Sequence, residues 1–326
     1  MSTRDAERFT RGLAVPLAGL VAEKRGVGYG YAATATDLQQ LDRFCQQVGH
    51  QTATLPRDLV DAFIAKRPHE TETNRQHRIT LVRLLGDYRQ RHGIPAYVVP
   101  RGQRGAAPAP YVPHIFTRAE RRAFFPALDA MAPEPTAPRR HAVFPLLFRL
   151  LYGAGLRVSE AVALTVADVD TTEGWVHIRA GKFGKERRVP LHPALVGRCR
   201  AYATAVLGAL SADEPFCPAP HGGAYTAGTV YKAFRQWLWA AGISHGGRGH
   251  GPRLPDLRHT FAVHCLRRWV DDGTDLSVAW PYLSVYLGHT GLRGTQEYLR
   301  LTAELYPALV TRLTVQFGVC IPEPTP

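Results

Sequence analysis

Apolar residues recur at helical spacing over Thr36–Val48, Arg57–Lys66 and the longer Glu72–Arg91, the i, i+3, i+4 signature of one-sided helices. That rhythm stops at 95–113, where five prolines and two glycines read as an extended connection. The linker is drawn at 101–113, separating a helical domain of residues 1–100 from a second domain of residues 114–326. In the second domain Thr117 is placed to cap a helix running through Leu128, and a proline-rich break at 133–138 precedes a strongly apolar helix over Ala142–Tyr152. Trp175–Arg179 and Arg187–Leu191 read as two strands around a glycine-containing turn at 181–184. Helical spacing returns at 194–210, 226–241, 257–270, 279–287 and about 294–306. The pattern predicts a mainly α chain with one small β-hairpin, its first domain helical and its second a mixed α+β body.

Charge narrows what such a chain contacts. The 326 residues carry 40 Lys+Arg against 27 Asp+Glu, a net of +13 and a pI near 9.8, and the excess falls in both halves, +6 up to Arg104 and +7 beyond it. Such a surface favours a polyanion. Only five of the basic residues are lysines (24, 66, 182, 185 and 232), so the charge is mostly guanidinium, the group suited to bidentate phosphate contacts. Five scattered cysteines without a CxxC pair indicate neither a disulfide framework nor a zinc site and fit a reducing cytoplasm. No apolar run approaches a membrane span. The expected partner is therefore nucleic acid and not lipid, and the expected location cytoplasmic and DNA-associated. No P-loop pattern and no cluster of acidic residues of the two-metal kind occurs, so no metal and no cofactor is expected.

Chemistry-bearing residues stand out in four blocks. They are Arg157 in Gly155-Leu-Arg-Val-Ser-Glu160, Lys182 in Gly181-Lys-Phe-Gly-Lys-Glu-Arg-Arg-Val-Pro-Leu191, Arg258 in Asp256-Leu-Arg-His-Thr-Phe261, and His289 in Leu287-Gly-His with Tyr298 nine residues later. Each alone is ordinary: an arginine at a helix end, a solvated turn, a structural histidine, a core tyrosine. Their types nevertheless suit one task. A pentacovalent phosphoryl transition state gathers charge on its non-bridging oxygens, and two forked guanidiniums, Arg157 and Arg258, with a hydrogen bond from His289, would meet that charge. The phenol of Tyr298, with an ordinary pKa near 10, needs a cationic setting or a base to become a nucleophile, and the same clamp is expected to help ionise it. Glu160, one turn after Arg157, reads as orienting a neighbouring cation.

Taken together and in order, these blocks resemble the tyrosine recombinase (phage integrase) family. Its members share an Arg in Gly-Leu-Arg-x-Ser-Glu, a Lys on a β-hairpin, His-x-x-Arg, Leu-Gly-His and a nucleophilic Tyr, and the match runs from about residue 140 to 306. The resemblance implies a two-domain clamp around double-stranded DNA, with a core-binding N-terminal domain and a catalytic C-terminal one. It implies a site-specific recombinase or integrase that cleaves and rejoins DNA through a 3′-phosphotyrosyl intermediate, without metal or ATP. It assigns Lys182 as the general acid for the leaving 5′ oxygen, with Lys185 the nearby alternative. It also implies a homotetramer on two DNA sites, with an additional recombinase or DNA-bending accessory proteins as further partners. The apolar segment Leu305–Val319 either docks on a neighbouring subunit or folds back as a simple helix.

Two departures from the family pattern bear on activity. The His of His-x-x-Arg falls on Pro255, which has no side-chain donor or acceptor. His259, next to Arg258, is an accessory candidate but is expected to point about 100° away on its helix and to be structural, while His250 is a second accessory candidate, an imidazole that could approach from the preceding glycine-rich loop. The alternatives to a full recombinase are thus a catalytically weak or inactive DNA-binding accessory protein of the same family, or type IB topoisomerase-like strand passage. The second departure is the segment Trp269–Pro281, longer than the family's usual connection, which leans toward transposon-encoded members.

Overall fold

The computed structural model describes residues 9–10, 12–29, 31–102, 111–179, 186–208, 210–246, 251–289 and Tyr298. The chain divides into two compact units, Met1–Tyr111 and Val112–Pro326.

Among its described residues the first unit has four helices, α1 (Ala14–Gly26), α2 (Ala32–Gln47), α3 (Arg57–Ile64) and α4 (Glu72–Arg91). Each contributes a stripe to one core: Leu17, Leu20 and Val21 from α1, Leu38, Leu41 and Cys45 from α2, Val60 and Phe63 from α3, Ile79, Val82 and Leu85 from α4. Thr71 starts α4 by accepting the Asn74 amide, the side-chain cap that satisfies an orphan donor of the first turn. Asp42, Arg78 and Arg89 are buried in this unit. Arg78 pairs with Glu70 at 2.5 Å and donates to the carbonyls of Phe63 and Ala65. Those carbonyls close α3, so the cation sits on the negative end of that helix.

The second unit opens with α5 (Arg118–Asp129), begun by a reciprocal cap in which Thr117 accepts the Glu120 amide at 3.1 Å and Glu120 accepts the Thr117 amide at 2.7 Å. The central element is α6 (Arg140–Gly153), apolar on nearly every side: Val143, Phe144, Leu146, Leu147, Phe148, Leu150 and Leu151 are all buried. Each such side chain removed from water contributes about 1.5–3 kcal/mol, and α6 organises α5, α7 (Val158–Ala163), α8 (Pro193–Tyr202) and α10 (Leu254–Asp271) around itself. The strands β1 (Val169–Asp170), β2 (Trp175–Ile178) and β3 (Arg187–Pro190) form an antiparallel sheet in the order β1-β2-β3. Period-two alternation puts Val176, Ile178 and Val189 inward. The helix α9 (Ala227–Ala240) is capped by Thr226, and α11 (Leu276–Leu287) by Asp275. The chain is thus mainly α with a three-stranded sheet, one strand more than the pattern predicted; the extra strand is two residues long. Trp269–Pro281, set apart as an extra connection, forms the end of α10, a short turn and the start of α11.

A smaller apolar cluster joins α10 to α11 through Ala262, Val263, Leu266, Leu276, Leu283 and Leu287, and Tyr298 is buried in it. No described helix is long and apolar enough to cross a membrane.

Candidate active site

The site begins where α6 ends. Gly155 turns the chain in the left-handed region (φ 60°), and Arg157 follows as the non-helical residue before α7. Glu160, in the first turn of α7, accepts the Arg157 amide at 2.9 Å and its Nη1 at 2.6 Å. The same carboxylate receives both terminal nitrogens of Arg187 from β3, at 3.0 and 2.9 Å, with Arg258 Nη1 3.8 Å away. Three guanidiniums against one carboxylate leave two positive charges at this point. Burial alone would raise the Glu160 carboxyl, but the hydrogen bonds and charges of Arg187 and Arg157 prevail and hold it at about 2. Glu160 therefore holds the guanidiniums of Arg157 and Arg187.

Arg258 stands in the second turn of α10 and is buried. Its Nη1 donates to the Gly155 carbonyl at 2.7 Å, its Nη2 to the Leu287 carbonyl that closes α11, and it hydrogen-bonds the Tyr298 side chain. Burial, with the charge of Arg157 beside it, lowers Arg258 to about 10, so it remains a cation at neutral pH. Arg157 reaches the same place from the other side, its Nη2 donating to the Gly288 carbonyl at 3.2 Å.

His289 follows Gly288, which ends α11 in the left-handed conformation (φ 65°), where glycine carries no Cβ penalty. Its Nε2 lies 3.3 Å from Arg258 Nη2. A guanidinium only donates, so Nε2 accepts and the neutral ring carries its proton on Nδ1. The ring is neutral because burial and the charges of Arg258, Arg157 and Arg187 lower it from 6.5 to about 4. The His289 ring stacks on Tyr298 with centroids 5.9 Å apart and planes 24° apart.

Tyr298 is 3% exposed. The clamp was expected to ease its ionisation. Arg258 and Arg157 do pull in that direction, but burial outweighs them and the phenol sits above its ordinary 10. Ionisation at this position is thus harder than in water, which makes a proton acceptor for the phenol more important. A second correction concerns His259. Its ring meets Tyr298 at a centroid distance of 5.3 Å, so it does not turn away from the site. The 100° step along α10 moves it to an adjoining flank of the tyrosine, which Arg258 and His259 both border. Pro255 is exposed in the first turn of α10, where a missing amide proton costs nothing.

The structure therefore brings together Arg157, Glu160, Arg258, His259, His289 and Tyr298. Lys182, Lys185 and His250 lie outside the described residues, as does the expected helix at 294–306 apart from Tyr298, and Leu305–Val319. Arg187 is the site residue that sequence reading missed. A signal was present: it shares the inward face of β3 with Val189, two residues on, and a charge at an inward strand position needs a buried partner. Among the described residues no group of three His, Cys, Asp or Glu side chains is arranged to hold a metal ion.

This arrangement, two guanidiniums and a neutral imidazole about a buried phenol, spans the region in which a sequence description of the phage integrase family matches the chain, residues 126–304. The chain belongs to the phage integrase family. It is 31% identical over 252 residues to the tyrosine recombinase XerD of Ralstonia nicotianae, covering 76% of this chain and 75% of that protein. It is 29% identical over 295 residues to y4rB of Sinorhizobium fredii, an integrase/recombinase by name, covering 89% and 93%. Among solved structures, the Tn1549 transposon integrase in complex with a circular intermediate DNA aligns with a TM-score of 0.60 at 17% identity, covering 91% of this chain and 99% of that one. That likeness establishes the shared fold. As a member of this family the protein is a tyrosine-type site-specific recombinase.

Proposed function

We propose that this recombinase cleaves and rejoins double-stranded DNA with Tyr298 as the nucleophile, and that the catalytic residues are Tyr298, Arg157, Arg258, His289 and Lys182. The supporting observation is convergence: Arg157, Arg258, His289 and Tyr298 come from four segments between residues 157 and 298, with Arg258 hydrogen-bonded to the phenol, His289 against both, and Arg157 acting on both through its charge. In the reaction the Tyr298 oxygen bonds to phosphorus, the bond from phosphorus to the 5′ oxygen breaks, and a 3′-phosphotyrosyl linkage forms. Arg157 and Arg258 neutralise the non-bridging oxygens, and His289 donates from Nδ1. The phenol proton passes to His259, the imidazole in contact with the ring that stands in for the one Pro255 removes. Lys182, with Lys185 as the alternative, supplies a proton to the leaving 5′ oxygen. A second 5′ hydroxyl reverses these steps without ATP. Within the wider assembly each unit contacts duplex DNA, and four copies join two sites.

A nicked suicide substrate tests the reading. The wild-type chain accumulates a covalent protein–DNA adduct and Tyr298→Phe does not. An adduct formed by Tyr298→Phe, or none formed by wild type on cognate DNA, would refute Tyr298 as the nucleophile. The second of these results would favour an accessory DNA-binding role.

A further inference from the structure

Arg187 is placed unlike the other arginines of the site. It begins β3 and pairs across the sheet with Ile178, the last residue of β2, so it stands at the mouth of the connection that carries Lys182 and Lys185 in sequence. All three of its donor nitrogens are turned to protein acceptors: Nη1 and Nη2 to the two oxygens of Glu160, and Nε to the Tyr286 carbonyl in the last turn of α11 at 2.8 Å. Its side chain is 10% exposed against 25% for Arg157. Unlike Arg157, it has little surface left for a phosphate. It also explains Gly288 a second time, because a Cβ there would lie 2.9 Å from Arg187 Nη1. One guanidinium thus joins the hairpin, the turn of α7 that orients Arg157, and the end of α11 that precedes His289.

We propose that Arg187 is a positioning residue that registers the β2–β3 hairpin, and with it the lysine that protonates the leaving 5′ oxygen, against the arginine clamp through the shared Glu160 carboxylate. The proposal rests on the reading above that a hairpin lysine is the general acid. The geometry requires arginine: a planar fork reaches both carboxylate oxygens and a carbonyl on its other edge, and an ammonium at the end of a flexible stem does not. Charge neutralisation alone would be met by lysine. The other side of the hairpin is tied by Arg179 to Asp168, but Arg179 is 57% exposed, so the buried tie at Arg187 sets the register.

The test compares single-turnover cleavage of DNA bearing an ordinary 5′ oxygen at the scissile phosphate with DNA bearing a bridging sulfur there, whose thiolate leaves without a proton. Arg187→Lys is expected to slow the oxygen substrate by about 10²-fold, the size of a lost general acid, and to leave the sulfur substrate near the wild-type rate. Whichever of Lys182→Ala and Lys185→Ala removes the acid shows the same selectivity, whereas Arg157→Lys is slow on both. Arg187→Gln, which keeps a planar donor but not the two-toothed fork, serves as the second variant should Arg187→Lys fold poorly, and is expected to share the sulfur rescue. Equal slowing of both substrates by Arg187→Lys and Arg187→Gln, or no slowing, would overturn the proposal. Selective rescue of Arg187→Lys with neither lysine variant rescued would uphold the coupling to leaving-group protonation and refute the lysine assignment instead.

Discussion

Replacing Glu160 by Gln removes one charge and reverses the polarity of one end of the side chain. In the folded protein the carboxylate accepts four N–H groups, one from the Arg157 amide and three from guanidiniums, and its side chain is 1% exposed. The amide of Gln presents its own N–H₂ to some of those donors. Arg157, at 25% exposure, is able to turn partly toward water. Arg187 and Arg258, at 10% and 7%, are not, so their charges stay buried without compensation. Breaking a buried ion pair on one side costs about 3–5 kcal/mol. All five tryptophans (175, 237, 239, 269 and 280) lie in the Val112–Pro326 unit, so urea unfolding followed by tryptophan fluorescence reports that unit alone. With a slope of about 2–3 kcal/mol per molar urea, the expected loss moves the midpoint down by roughly 1–2 M. The pH dependence adds a second constraint. Glu160 is held at about 2 when folded against 4.5 when free, so its contribution is fully present above pH 4.5 and is lost as pH falls toward 2, and the two proteins should converge over that window. A loss below about 1 kcal/mol at pH 7, or a gap that persists at pH 2, would refute the reading of Glu160 as the ionised hub of the site.

Three further outcomes are expected. His259→Phe keeps a ring against Tyr298 but removes its nitrogens, so cleavage should fall by about 10²-fold at pH 7 and recover as pH rises toward the phenol pKa; a wild-type rate with a flat pH profile would reduce His259 to packing. Gly155→Ala combines a left-handed backbone with a Cβ 2.6 Å from the ring of Phe261, itself stacked on Tyr286, and should cost about 2–4 kcal/mol, read as a lower urea midpoint; an unchanged midpoint would show that the turn relaxes. His289 and His264 are both lowered by burial to about 4 from 6.5, so the unfolded chain binds more protons between those values and stability falls as pH drops from 6.5 to 4. Each should contribute about 1–2 kcal/mol after allowance for partial exposure, and His264→Phe should flatten part of that slope in fluorescence-detected unfolding.

Much of the fold was legible because periodicity and caps agree. Glu72–Arg91 was read to both ends, and Thr117 was identified from its place before an amphipathic run. The helix Ala14–Gly26 escaped because Pro16, Leu17, Ala18, Leu20 and Val21 are all buried, leaving no polar stripe to set a phase. The first strand is too short to show alternation. In the site, the motif residues were legible as types in order, but their mutual placement was not. That the phenol is buried enough for desolvation to outweigh two arginines depends on α10 and α11 closing over it. That His259 borders the tyrosine depends on the approach of Tyr298 from a segment 39 residues on in the chain.

The guanidinium of Arg258 is fixed largely by main-chain oxygens, those of Gly155 and Leu287. Point mutation rewrites side chains but leaves a carbonyl in every residue. The most deeply held cation of the site is thus anchored to atoms that mutation leaves in place so long as the two backbone turns persist. Sequence around it is free to drift, so polar side chains elsewhere on the same helix can change without releasing the arginine.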